Sequence, residues 1–139
     1  MVVLCVDDDR LVLSLVEKIL ESSGYTVITA TNGIEALELL EHHEVATLLT
    51  DIRMPKMDGI TLAGKVKQQM PEIQIILMTG YAELGQLAND YVVLLKPFYV
   101  STLLNAIQTP LDRGVIYGLE QTQLADRLND QSDIACDYK

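Results

Sequence analysis

Short apolar runs punctuate the first hundred residues: Val2 to Val6, Tyr25 to Thr29, Ala46 to Thr50, Ile73 to Met78 and Val92 to Leu95. Each has strand length, is rich in β-branched residues and lacks polar alternation, the pattern of strands covered on both faces. Between the runs, apolar residues recur at helical spacing. Val12, Leu15, Val16, Ile19 and Leu20 form one such face, and Ile34, Leu37 and Leu40 the next. Leu62, Ala63, Val66 and Met70 follow, and Val100, Leu103, Leu104, Ile107 and Leu111 close the series. The breakers agree with this division: Ser23-Gly24 closes the first helix, Asn32-Gly33 opens the second, Met70-Pro71 ends the third, and the fifth starts at or just before Ser101. The fourth helix is the weakest element, because only about two turns fit between Gly80 and Tyr91, with Gly85 in the middle at a cost of about 1 kcal/mol relative to alanine. Five strand-helix units in alternation predict an α/β fold, (βα)5, with a doubly wound five-stranded parallel sheet.

Composition sets the limits of this picture. With 139 residues, 49% hydrophobic and 22% charged, the chain can bury one proper core. The pattern occupies residues 1–110. Beyond Pro110 the chain turns polar, with three basic and six acidic residues in 111–139 and one weakly amphipathic stretch at Leu119, Leu124 and Leu128. This extension is too small for its own core, so it continues the last helix, rests on a partner or begins a linker. The net charge of -10 repels a phosphate backbone, which argues against direct nucleic-acid binding by these residues. No apolar stretch approaches the roughly 20 residues of a membrane span. No basic segment precedes Val2, and the run ends in aspartates, unlike a secretory signal. Cys5 and Cys136 lack metal-ligand spacing and read as reduced thiols of a cytoplasmic protein.

The strand ends hold the chemistry, since ligands of open parallel sheets bind beyond the carboxyl ends where strand order reverses. The first strand ends in Asp7-Asp8-Asp9, the third in Asp51, the fourth in Thr79-Gly80 and the fifth in Lys96-Pro97. The second ends in Ala30-Thr31-Asn32, with nothing ionisable. Placing it at the edge gives the order 2-1-3-4-5, which is flavodoxin-like and gathers the other ends round one crevice. Carboxylates about 4 Å apart repel by roughly 4 kcal/mol at an effective dielectric of 20, so cations must offset them. Lys96 supplies one positive charge. Oxygen donors without His or Cys favour Mg²⁺ for the rest. A metal, a lysine, a hydroxyl and a spare carboxylate suit phosphoryl transfer, with Asp51 as the nucleophile forming an acyl phosphate. Asp9 is left as a plain cap of the first helix, and His42-His43 as a solvated helix end.

Taken together, Val6-Asp7-Asp8-Asp9, Asp51-Ile52-Arg53-Met54-Pro55-Lys56-Met57-Asp58-Gly59, Met78-Thr79-Gly80-Tyr81 and Leu95-Lys96-Pro97-Phe98 resemble the signature segments of the receiver domain of two-component response regulators. The likeness covers residues 2 to about 109 in order and includes Gly24-Tyr25-Thr26-Val27 and Asn32 to Leu37. It implies that Asp51 receives a phosphoryl group from a phosphohistidine on a sensor histidine kinase or a histidine phosphotransfer protein. Asp8 would bind Mg²⁺ directly with Asp51 and the backbone carbonyl of Arg53, and Asp7 would act through the metal's water. Thr79 would hydrogen-bond the transferred group, Lys96 would pair with it, and the Lys96-Pro97 peptide would be cis. Gly59 would release the loop into the third helix after Asp58, while Arg53 and Tyr81 occupy positions that modulate the lifetime of the acyl phosphate. Phosphorylation would shift populations and switch a surface read by a downstream protein, a following effector domain or a second copy.

Two departures stand out. The family's aromatic residue three positions before the lysine is Val93 here, with Tyr91 the nearest aromatic, and the Thr79 to Lys96 segment is short, which truncates the fourth helix and the usual output face. Together they motivate a competing reading, a receiver fold that binds protein without phosphorylation. A hydrolytic alternative, an aspartate-nucleophile phosphatase of the haloacid-dehalogenase kind, rests on Asp7 and Asp9 as Asp-x-Asp. Such enzymes want Thr or Val soon after the second aspartate, where Arg10 and Leu11 stand, and a cap domain that this chain lacks.

Overall fold

Strand and helix alternate as the hydrophobic pattern requires, in a computed structural model that describes residues 1–80, 87–109, 111 and 113–118. The elements are β1 (Val2–Val6), α1 (Arg10–Ser22), β2 (Thr26–Ala30), α2 (Gly33–His42), β3 (Thr47–Asp51), α3 (Gly59–Gln69), β4 (Gln74–Thr79), α4 (Leu87–Asp90), β5 (Val92–Leu95), α5 (Val100–Gln108) and β6 (Val115–Tyr117). The sheet runs β2-β1-β3-β4-β5-β6. Its first five strands follow the expected order, but among the described residues the sheet has six strands rather than five. Val115-Ile116-Tyr117, three residues of high β propensity, pair in parallel with β5. A run this short leaves no periodic signal in the sequence. Gly85, Cys136 and the stretch from Leu119 to Leu128 lie outside the described residues.

The chain divides into two compact units, Met1–Leu77 and Met78–Lys139. In the first, β1 is flanked by parallel neighbours on both sides, with Val3 opposite Val27 of β2 and Thr47 of β3. Val3, Leu4, Cys5, Val6, Leu48 and Leu49 are fully buried, as continuous apolar strands covered on both faces should be. The covering helices turn slightly different faces inward than spacing alone suggests. α1 buries Leu13, Val16 and Leu20 and leaves Leu11 and Leu15 exposed. α2 turns Gly33, Ala36 and Leu40 inward, with Ile34 exposed. Small residues at Gly33 and Ala36 let the helix backbone approach its neighbours, which an amphipathicity count does not reward. In the second unit, α5 buries Thr102, Leu103, Ala106 and Ile107 and leaves Val100 exposed.

Local capping fixes the helix starts. Asp9 caps α1 by accepting from the Leu11 N–H at 3.0 Å, and Asp58 caps α3 by accepting from the Thr61 N–H at 2.8 Å. At α2 the capping is reciprocal: Asn32 accepts from the Glu35 N–H at 2.9 Å, while the Glu35 carboxylate accepts from the Thr31 N–H at 2.8 Å and its hydroxyl at 3.1 Å. Asn32→Ala is expected to lower the unfolding free energy by about 1 kcal/mol, read as a lower urea midpoint at unchanged slope.

Candidate functional site

The β1–β3 register builds the centre of the site. Val6 lies opposite Thr50, so the next residues, Asp7 and Asp51, leave the sheet side by side, and Asp8 follows one position on. Carboxylate oxygens of Asp7, Asp8 and Asp51 all lie within 4.8 Å of one another. Their exposure is graded. Asp7 is 1% exposed, Asp51 is half-buried and Asp8 is open to solvent. The Asp7 carboxylate accepts from the Asp9 N–H at 2.9 Å, and its own N–H donates to the Ala30 carbonyl at 3.1 Å, which continues the β1–β2 ladder past the strand end.

Asp51 is held by its backbone. The Thr50 hydroxyl donates to the Asp51 carbonyl at 2.9 Å, and the Gly59 N–H closes the loop by donating to the Ile52 carbonyl at 2.8 Å. A Cβ on Gly59 would collide with the Asp51 carbonyl oxygen and lie 2.9 Å from its carbon and 3.0 Å from the Ile52 Cα. Glycine is needed here for close backbone approach, not for an unusual dihedral. Lys56, in the same loop, is in the left-handed region at φ 71°. A second close approach falls at Gly33, whose added Cβ would meet Met57 at 2.8 Å, so the start of α2 braces the loop through Met57. Neither braced contact is legible in the sequence, where Gly33 reads only as the opening of the second helix. Arg53 projects from the loop, exposed.

Three oxygen donors with no nitrogen or sulfur suit a hard divalent cation, and one or two carboxylates with water completing the shell is the arrangement Mg²⁺ takes. The gathering of negative charge needs a cation on energetic grounds as well, since each pair repels and Asp7 is screened least.

In the second unit, Thr79 ends β4 buried, and its hydroxyl donates to the Gly80 carbonyl at 3.2 Å. The Lys96 N–H donates to the Thr79 carbonyl at 2.8 Å, which ties the ends of β4 and β5 together. Lys96 is half-buried, and the Lys96-Pro97 peptide is cis. Val93 is fully buried within β5, and Tyr91 is packed in just ahead of it, 9% exposed. Burial, and next the Asp90 carboxylate, push the Tyr91 phenol above its ordinary 10.0. The folded chain therefore favours the neutral phenol. That contribution to stability is whole below pH 10 and is lost as pH rises through the elevated value. Absorbance titration should show a late-ionising step that disappears in Tyr91→Phe. Tyr81 lies outside the described residues. Among the described residues, no helix is long and apolar enough to cross a membrane.

Comparison with known proteins agrees with this layout. Residues 3–108 match the family model of the response regulator receiver domain. The chain belongs to that family. It is 37% identical over 114 residues to the response regulator receiver protein CpdR of Brucella abortus, covering 78% of this chain and 95% of that one. It is 34% identical over 127 residues to the DNA-binding transcriptional regulator NtrC of Escherichia coli, 88% of this chain but 26% of that protein, so it spans about a quarter of NtrC's length. Among solved structures, the response regulator TrrA of Thermotoga maritima in complex with Mg²⁺ and beryllium fluoride superposes with a TM-score of 0.70 at 30% identity, over 79% of this chain and 98% of that one. Receiver domains are signalling domains that bind Mg²⁺ through acidic residues, and this chain gathers Asp7, Asp8 and Asp51 into an acidic cluster.

Proposed function

We propose that this chain is a phosphorylation switch in which Asp51 accepts a phosphoryl group from a phosphohistidine of a sensor histidine kinase or a histidine phosphotransfer protein, with Mg²⁺ bound. The observation that carries this reading is the convergence of Asp7, Asp8 and Asp51 beside a β3–α3 loop braced on the Asp51 backbone. In the transfer, an Asp51 carboxylate oxygen attacks phosphorus as the histidine P–N bond breaks. An O–P bond forms, and the imidazole leaves with the electron pair and takes up a proton. Bound Mg²⁺ supplies charge neutralisation for the phosphoryl oxygens. Asp8, Asp51 and the Arg53 carbonyl would hold the ion, with Asp7 acting through water, and Thr79 and Lys96 would engage the transferred group. The chain thus assists its own phosphorylation and dephosphorylation without being an enzyme acting on a separate substrate. Residues 1–110 form the phosphoacceptor domain, and 111–139 an extension whose first part adds β6. The switched surface acts on a downstream protein, a following effector domain or a second copy.

Incubating the protein with phosphoramidate and Mg²⁺ and measuring intact mass should show one added phosphoryl group, lost with EDTA and in Asp51→Asn. Equal labelling of Asp51→Asn would overturn the assignment. If phosphoramidate leaves the wild type unlabelled, and beryllofluoride with Mg²⁺ also fails to raise its melting temperature, the chain is instead a receiver fold that binds partners without phosphorylation.

A further inference from the structure

After α5 the chain returns to the sheet, and residues 113–118 lie along β5. Val92 faces Val115, Val93 faces Ile116 and Leu94 faces Tyr117. Glycines bound the segment in the left-handed region, Gly114 at φ 83° and Gly118 at φ 103°, conformations cheap only for glycine. Both ends are fastened. The Gly114 N–H donates to the Ala88 carbonyl of α4 at 2.8 Å. At the other end, the Gly118 backbone passes so close to Leu95 that an added Cβ would sit 3.1 Å from the Leu95 Cβ. Leu95 directly precedes Lys96, whose N–H is bonded to the Thr79 carbonyl. The strand beneath is fully buried, whereas Val115, Ile116 and Tyr117 are each only half-buried. A three-residue edge strand, less buried than the strand it covers, belongs to the low-stability end of a fold, where local opening is inexpensive.

We infer that residues 113–118 form a detachable strap over α4 and β5 whose seating depends on the position of Lys96, so that occupancy of the acidic site is reported at the outer edge of the sheet. The inference rests on the proposed role of Lys96 toward the phosphoryl group. In the structure Gly118 is seated against Leu95. When Lys96 is drawn to a phosphoryl group, Leu95 moves with it, and displacement from that closely fitted position unseats Gly118. The free energy that loosens the strap must return as a change in ligand affinity of the same factor, since coupling is reciprocal. The strap lies next to α4, four residues long among the described residues, and covers the edge of β5.

Amide hydrogen exchange on the full chain tests this. With Mg²⁺ and beryllofluoride, the amides of 115–117 should exchange about tenfold faster, within the usual range of site coupling, while those of β1 stay protected. Unchanged or slower exchange at 115–117, with a melting temperature raised by beryllofluoride through Asp51, overturns the strap and leaves the phosphoacceptor reading intact. No rise in melting temperature overturns that reading and the inference with it. Gly118→Val forces a side chain against Leu95 at a positive φ. It should expose 115–117 to exchange without ligand and tighten beryllofluoride binding severalfold; unaltered affinity in a variant whose strap has opened also overturns the coupling.

Discussion

Gly59→Ala is expected to lower the unfolding free energy by about 3 kcal/mol and to weaken cation binding at the acidic cluster. The cost is steric. The new methyl group would meet the Asp51 carbonyl oxygen, the Asp51 carbonyl carbon and the Ile52 Cα, all backbone atoms, so no side-chain rotation relieves the overlap. The loop must move, and with it the Gly59 N–H bond to Ile52 and the carboxylate of Asp51. A control lies in the same helix. Gly64 is exposed in α3 with nothing within 4 Å of an added Cβ, so Gly64→Ala should raise stability by about 0.5–1 kcal/mol through helix propensity. Urea unfolding of the two variants checks both signs. A Gly59→Ala protein as stable as the wild type would mean that the loop does not depend on this close approach.

Asp8→Asn should remove most of the stabilisation by Mg²⁺ while making the metal-free protein slightly more stable. Its carboxylate lies within 4.8 Å of those of Asp7 and Asp51, so with no cation bound the fold carries their mutual repulsion. Asp8 is exposed, and solvent screening reduces the relief to on the order of 1 kcal/mol or less. With cation the balance reverses. At a hundred times its dissociation constant, a ligand bound only by the native state stabilises by about 2.7 kcal/mol, roughly 8 °C in melting temperature for a domain of this size. The variant, lacking one charged oxygen donor, should lose most of that rise. Melting curves with EDTA and with Mg²⁺ give both quantities, and a rise as large in Asp8→Asn as in the wild type would remove Asp8 from the site.

The strands were legible because covered strands need unbroken apolar runs, and β1 begins and ends where its hydrophobicity does. Asp9, Asn32 and Asp58 were legible as helix starts because a cap needs only local hydrogen bonding. The convergence of Asp7, Asp8 and Asp51 followed from strand order, a global property that charge crowding helped to choose. Contacts between segments distant in sequence were not legible. The bracing of Gly33 on Met57 and the seating of Gly118 by Leu95 depend on a few tenths of an ångström of approach that no periodicity encodes. The inward faces of α1 and α2 were read partly wrong for a related reason: small residues that permit close packing score poorly as hydrophobic markers, and large ones such as Leu15 and Ile34 remain outside.

The central place of β1 also bears on how the chain folds. Val3 finds its two strand partners at Val27 and Thr47, more than twenty and more than forty residues further along. No local hairpin can shelter this strand, because parallel neighbours are joined only through an intervening helix. The most buried strand of the first unit is therefore completed late, after the entropy of two long loop closures has been met. Folding should be slower than that of a helical bundle of equal stability, with Val2 to Val6 the segment most exposed to misassociation until β3 arrives.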